Sequence, residues 1–100
     1  MDPDKPDIQI SDVVVSVQGH DQGEVFYVIG RKEEYLLLAN GKNRTLEAPK
    51  RKNRKHVEKV LRSETRVAEK LRSGNKVLNG ELRRDLAFLS RGMQANDLGG

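Results

Sequence analysis

The chain has 100 residues, 34% of them charged and 35% hydrophobic, and its formal net charge is +4 at pH 7. This length allows one small domain, because two independent cores need more apolar material than so short a chain contains. The absence of cysteine excludes disulfides, thiolate zinc sites, iron–sulfur clusters and cysteine nucleophiles. An acidic, proline-bearing N-terminus and the lack of a long apolar run predict a cytoplasmic protein without a membrane span.

The basic residues are concentrated in one segment of the chain. Residues 42–62 contain nine Lys and Arg against two Glu, a net charge of +7, whereas residues 1–41 contain eight acidic residues against three basic ones. Five of the bases fall within residues 50–55. A cationic run of this density predicts contact with a polyanion, and the alternatives are a solvated linker or a lysine-rich sheet edge.

Five short strands are predicted before residue 62. β-Branched and aromatic residues without helical spacing mark the first two strands, and the apolar run Tyr35–Ala39 follows as the third. The loop Gly19–Gly23 separates the first two, and Asn40–Gly41, which tolerates positive φ, predicts a hairpin between the third and the fourth. The predicted strands are residues 13–17, 24–29, 35–39, 42–47 and 56–60. Strands at this spacing predict a small closed or nearly closed β-barrel.

Pro49 is predicted to end the fourth strand. A proline fixes its own φ and keeps the preceding residue, here Ala48, out of the helical region. The cationic run that follows is therefore expected to leave the sheet as an extended segment.

Two amphipathic helices are predicted in the remaining residues. The first begins near Ser63 and ends at Ser73–Asn75, where Gly74 supplies a C-cap. The second has Asn79 as its N-cap. The apolar residues at helical spacing are Val67, Ala68 and Leu71 in the first helix and Leu82, Leu86 and Leu89 in the second. Their stripe is too thin for a free helix, so the second helix is expected to dock on the barrel, on the first helix or on a partner.

The predicted fold class is mainly β with an α tail, a small five-stranded barrel followed by two short C-terminal helices. The chain is divided into a flexible N-terminus over residues 1–9, a barrel domain over residues 10–62, a helical tail over residues 63–91 and a disordered C-terminus over residues 92–100.

Catalysis is not expected from this chain. Its only histidines are His20 and His56, and its carboxylates are scattered over predicted turns, so no set of reacting groups converges. His20, Asp21 and Glu24 share one turn, but a set this small and this local is a weak metal signal. No catalytic residue, metal, cofactor or small-molecule substrate is therefore assigned.

The aromatic side chains on the predicted strands are Phe26, Tyr27 and Tyr35. Strand aromatics usually belong to the core, so they are not expected to stack on bases. This favours recognition of RNA through its phosphates rather than through unstacked bases.

The order of these features resembles a known motif. The stretch from Asp12 through Gly19–Gly23 to Gly30, followed by Ala39–Lys42 and then by residues 49–56, is similar to the KOW motif of the KOW-domain RNA-binding proteins of Gram-positive bacteria. Those proteins are similar to KOW-bearing large-subunit ribosomal proteins of archaea and eukaryotes. The resemblance covers residues 10–60 and implies an SH3-like five-stranded barrel that binds structured RNA, ribosomal RNA above all, without catalysis. It also implies a ribosome-associated, ribosomal protein-like role in translation.

The cationic segment is the predicted RNA-binding site, because its bases can neutralise phosphates. The predicted binding residues are Lys42, Arg44, Lys50, Arg51, Lys52, Arg54, Lys55 and His56. A structural role in turns is predicted for Gly19, Asp21, Gly23, Asn40 and Gly41. The alternative function is a protein-interaction module that engages a translation or transcription partner, possible partners being the ribosome or translation proteins. Attachment to an anionic membrane surface is a weaker alternative, since the run has no apolar anchors.

Overall fold

The computed structural model describes residues 7–99, with side chains described as far as residue 92. A five-stranded antiparallel sheet is followed by two helices, which confirms the mainly-β fold with an α tail. The strands are β1 (Asp12–Ser16), β2 (Val25–Arg31), β3 (Tyr35–Ala39), β4 (Lys50–Asn53) and β5 (Val57–Arg62), and the helices are α1 (Arg66–Ser73) and α2 (Asn79–Gly99).

The sheet is open, in the order β4-β3-β2-β1-β5. β4 and β5 are its edges and do not pair with each other, so the closed barrel is not confirmed. Connecting segments nevertheless bring the two edges near each other. A 3-10 helix, Arg54–His56, joins β4 directly to β5. The backbone amide of Val17, just after β1, donates to the carbonyl of His56 at 2.9 Å.

The prediction of a strand over residues 42–47 is wrong, because these residues form turns. The side-chain oxygen of Asn40 accepts the backbone amides of Lys42 at 2.9 Å and of Arg44 at 3.1 Å. The Asn40 amide in turn donates to the Arg44 carbonyl at 2.9 Å. Backbone groups held by this local network are not available for a ladder with β3.

The fourth strand is the cationic run itself, so the expectation that this run leaves the sheet is also wrong. Lys50–Asn53 pairs in antiparallel register with residues 35–38 of β3. The strand begins directly after Pro49, a position at which the missing amide costs the ladder nothing.

Apolar side chains cover both faces of the sheet. Because successive strand residues point to opposite faces, Val14 and Phe26 lie in one core and Val13 and Tyr27 in the other. The first core, here called the inner core, contains Ile8, Val14, Phe26, Val28, Leu36, Leu38 and Val57. The second, the helix-side core, contains Val13, Tyr27, Ala39, Val67, Ala68, Leu82 and Leu86. The helices therefore share a core with the sheet.

Capping side chains set the helix boundaries. Thr65 is the N-cap of α1 and accepts the Ala68 amide, so this helix begins at Arg66 rather than near Ser63. Gly74 ends it in the left-handed region with φ of 76°, as predicted for the C-cap. α2 begins at Asn79 and extends to Gly99, beyond the boundary predicted at residue 91.

The terminal segments differ in part from their predictions. Residues 1–6 of the N-terminus predicted to be flexible lie outside the described residues. Ile8 is 1% exposed and belongs to the inner core, so the ordered chain begins before residue 10. Residues 92–99, predicted to be disordered, continue α2. Neither helix of the described chain is long and apolar enough to cross a membrane.

A buried polar cluster joins the sheet to both helices. The Tyr27 hydroxyl contacts Ser63 at 2.8 Å and Thr65 at 3.3 Å, and it donates to the Asp85 carboxylate of α2. Thr65 also donates to Asp85, at 2.8 Å. Burial, followed by the hydrogen bond to Asp85, raises the pKa of Tyr27 to about 12. Each helix is thereby held at a defined position on the sheet.

Candidate nucleic-acid interface

β4 presents its basic side chains on two opposite faces. Lys52 and Lys50 lie opposite Leu36 and Leu38 of the inner core, whereas Arg51 lies on the other face. Lys52 is buried, with 8% of its side chain exposed, and Arg51 is exposed. Strand alternation thus separates the consecutive cations into two groups with different surroundings.

The inner pair of lysines shares one counter-charge, Asp21, in the loop between β1 and β2. Lys52 Nζ lies 2.8 Å from Asp21 Oδ1, and Lys50 Nζ lies 2.9 Å from Asp21 Oδ2. Lys52 also donates to the carbonyl of Gln18 at 2.6 Å. The Ser16 hydroxyl donates to Asp21 at 2.8 Å. These contacts fasten the β1–β2 loop across the end of the inner core onto β4.

The charge state of Asp21 follows from these partners. Burial raises the pKa of its carboxyl, but hydrogen bonds from Lys52, Lys50 and Ser16 together outweigh burial and hold the pKa well below its usual range. A permanently charged carboxylate explains how a strand of consecutive cations is accommodated in the sheet. Asp21, predicted only as a turn residue, is thus also the counter-charge of β4.

The glycines of this loop have the backbone geometry that a tight turn requires. Gly19 has φ of 96° and Gly23 has φ of 91°. At Gly19 an added Cβ would lie 3.2 Å from the Lys52 amine. Glycine therefore permits both the turn and the close approach of the lysine.

The outer cations lie in the loop before β4, on β4 and directly after it. Each is exposed, and none forms an ion pair with another residue of the described chain. The Arg51 guanidinium lies over the Tyr35 ring, 4.9 Å from its centroid. We call this set the outer cations: Lys42, Arg44, Arg51 and Lys55.

The other two predicted site residues are less exposed. Arg54 and His56 are half-buried in the 3-10 helix. The Arg54 backbone amide donates to the carbonyl of Glu34, and the His56 carbonyl accepts from Val17. The Arg54 bond thus extends the β3–β4 pairing by one residue, and the His56 bond extends the β1–β5 pairing by one residue.

Many cations outside this segment have carboxylate partners. Lys59 contacts the buried Asp12 at 3.2 Å, and Lys70 of α1 contacts Glu81 of α2 at 2.9 Å. Other ion pairs are Arg31–Asp7, Arg62–Glu64 and Arg72–Glu64. Exposed cations without such a partner in the described chain also occur elsewhere, for example singly at Arg66 and Lys76 and as the adjacent pair Arg83 and Arg84.

The loop with Lys42 and Arg44 packs on the first turns of α2. Gly41 has φ of 76°, and an added Cβ there would lie 2.2 Å from the carbonyl oxygen of Asn79. Asn79 also accepts the Leu46 amide at 2.8 Å. The backbone of Arg83 therefore lies close to this loop, and Arg83 and Arg84 are both exposed. Both arginines belong to the predicted helical tail. The sequence alone does not indicate that this tail packs against Gly41.

No group of three or more metal-ligating side chains lies together among the residues that the structure describes. The chain matches no protein-family model, and a search of curated proteins found no match. The resemblance to the KOW motif therefore stays a prediction.

Proposed function

We propose that this chain binds structured RNA, ribosomal RNA in particular, without catalysing a reaction. The observation that carries the proposal is the set of four outer cations, which are exposed and have no carboxylate partner in the described chain. All four lie within residues 42–55. Each phosphate that such a side chain neutralises releases condensed counterions, so a cluster of them binds a polyanion strongly.

The character of these cations favours RNA over a protein partner. Arg44 and Arg51 have planar guanidinium groups that match phosphate oxygens in a two-bond geometry. Protein interfaces are instead poor in lysine and built around apolar anchors. The exposed large apolar side chains come from separate segments of the chain: Ile10, Val17, Tyr35, Leu78 and Phe88.

The resemblance to KOW-domain proteins supports the finer parts of the proposal. It supports a ribosome-associated role in translation in the cytoplasm and an SH3-like barrel. The strand order, with β4 and β5 at the two edges and a 3-10 helix of three residues between them in the chain, is compatible with a nearly closed barrel of this kind.

The proposal is tested by titrating RNA hairpins with the protein at increasing salt concentration. Four phosphate contacts predict a log–log slope of affinity against salt of roughly −3.5, taking the duplex value of about 0.9 per contact. The triple variant R44Q/R51Q/K55Q should reduce the magnitude of this slope by about 2.5 to 3 and weaken binding to unrelated hairpins equally.

The matched control is R66Q/K76Q/R91Q, which removes the same number of arginines and lysines from exposed positions on or between the helices. We expect this control to keep most of the wild-type slope. Equal losses in the two variants would show that binding depends only on net charge, and a salt-independent affinity would contradict phosphate recognition altogether.

A further inference from the structure

We propose that Tyr35 and Arg51 form a stacking site for one unpaired base of the bound RNA. This inference rests on the proposed RNA-binding function and extends it from phosphate contacts to a structural class of RNA. The class is a helix interrupted by a bulge or junction, with at least one nucleotide outside the stack. The site lies on the outer face of the β3–β4 edge.

Tyr35 differs from the other two strand aromatics in its exposure. Phe26 and Tyr27 are 0% exposed, as predicted for core aromatics, whereas Tyr35 is 41% exposed. It begins β3 on the face opposite to Leu36, away from the inner core. A partly exposed ring at the start of a strand has apolar surface available for a planar ligand.

Arg51 lies over the ring of Tyr35. Tyr35 pairs with Asn53, and Arg51 pairs with Leu37, so Arg51 lies diagonally across from the ring on the same face. The guanidinium carbon is 4.9 Å from the ring centroid. A guanidinium plane and an aromatic ring both stack on nucleobases. An unpaired base can therefore add to the stack that Arg51 and Tyr35 form.

Lysines occur in both chain segments that flank Tyr35 in the sheet. Lys55 follows Asn53 by two residues, and its amide donates to the Asn53 side chain at 3.0 Å. Lys32 is exposed, and its amide donates to the Tyr35 carbonyl at 2.8 Å. Phosphates flanking an extruded base would therefore meet cations on both sides of the stacking site.

Acidic residues restrict the direction of approach. Glu33 and Glu34 are exposed in the turn between β2 and β3, directly before Tyr35. Their charge repels a phosphate backbone, so we expect the RNA to approach from the β4 side, along Arg51 and Lys55. A base within a continuous helix is covered by its neighbours and cannot reach Tyr35, which is why the site selects RNA with an unpaired nucleotide.

The experiment compares two RNA hairpins that differ only in one bulged 2-aminopurine. The wild-type protein should bind the bulged hairpin about fivefold or more tightly than the paired one and should quench the 2-aminopurine fluorescence. Tyr35→Leu keeps an apolar side chain without a stacking plane, so it should remove the preference and the quenching. Tyr35→Phe should retain both.

The control variant is Phe88→Leu, which changes another exposed aromatic residue, 64% exposed on α2. It should leave the preference for the bulged hairpin unchanged. If the wild type and Tyr35→Leu bind both hairpins equally, the stacking site is wrong while the phosphate contacts stand. If the wild type binds neither hairpin, the proposed function and the stacking site are both overturned.

Discussion

The two faces of β4 carry neighbouring cations with opposite roles. On the inner face, Lys50 and Lys52 are held by Asp21 and fasten the β1–β2 loop to the sheet. On the outer face, Arg51 is exposed, with an aromatic ring as its neighbour in place of a carboxylate. A count of charges along the chain cannot separate these roles, because they depend on strand alternation and on the position of one distant acid.

This difference indicates which cations are available to a ligand. A lysine that pairs with a buried carboxylate cannot move to a ligand without weakening the compensation of that buried charge, which lowers the stability of the fold. An exposed arginine loses only its hydration and gains a phosphate partner. Mutations on the inner face should therefore affect folding, and mutations on the outer face should affect RNA binding.

The largest expected effect is on stability, from the same substitution at adjacent positions. Lys52→Met should lower the free energy of unfolding by about 2 kcal/mol, because the buried Asp21 loses a charged hydrogen-bond donor and keeps only Lys50 as its counter-charge. Arg51→Met should change it by less than about 1 kcal/mol, since the cation–π contact is at an exposed site. Urea unfolding followed by circular dichroism measures both.

The double variant D21N/K52M distinguishes the ion pair from simple loss of packing. Replacing both charged partners should recover part of the stability lost in Lys52→Met, because the double variant no longer buries a carboxylate that has lost one of its two counter-charges. Equal destabilisation by Lys52→Met and Arg51→Met would contradict the difference between the two faces.

Of the two faces of β4, only the inner one should respond to acid, since Asp21 is its counter-charge. The folded-state pKa of Asp21 is depressed, so its stabilising contribution is complete above the unfolded pKa, about 3.9, and is lost as the pH falls below that value. When the unfolded state binds one more proton than the folded state, the unfolding free energy falls by about 1.4 kcal/mol for each unit by which the pH falls. Unfolding should be measured at several pH values below 5.

The variant Asp21→Asn is the control for this pH dependence. It should be less stable than the wild type at neutral pH. It should also lose less stability than the wild type between about pH 4 and about pH 2, the interval just below the unfolded pKa of aspartate. Identical slopes for the two proteins would show that other carboxylates cause the acid sensitivity.

Much of the fold could be predicted from the sequence, because local patterns specify it. β-Branched runs marked β1 and β2, and Gly74 marked the end of α1. Asn79, predicted as the N-cap of α2, is instead its first residue, and its side chain bonds Leu46 and Glu47. β4 could not be predicted in this way. Its lysines are compatible with a strand because Asp21 approaches from 31 residues away, and its start depends on the turn that Asn40 closes.

The candidate site was predicted as a segment but not as a surface. Residues 42–55 contain the outer cations, yet nothing in the local sequence separates Lys52 from Arg51. Tyr35 was expected in the core because strand aromatics usually pack there, and its place at the exposed start of β3 is a property of the tertiary structure. Side-chain direction at a sheet edge depends on register, which local composition does not specify.

The most direct test is lysine acetylation followed by mass spectrometry, with and without an RNA hairpin. The structure predicts three classes in one measurement: Lys42 and Lys55 are modified freely and protected by RNA, Lys76 is modified freely in both states, and Lys52 is modified slowly in both. Protection of Lys76 without protection of Lys42 and Lys55 would place the RNA elsewhere. Rapid modification of Lys52 in the free protein would contradict its buried ion pair with Asp21.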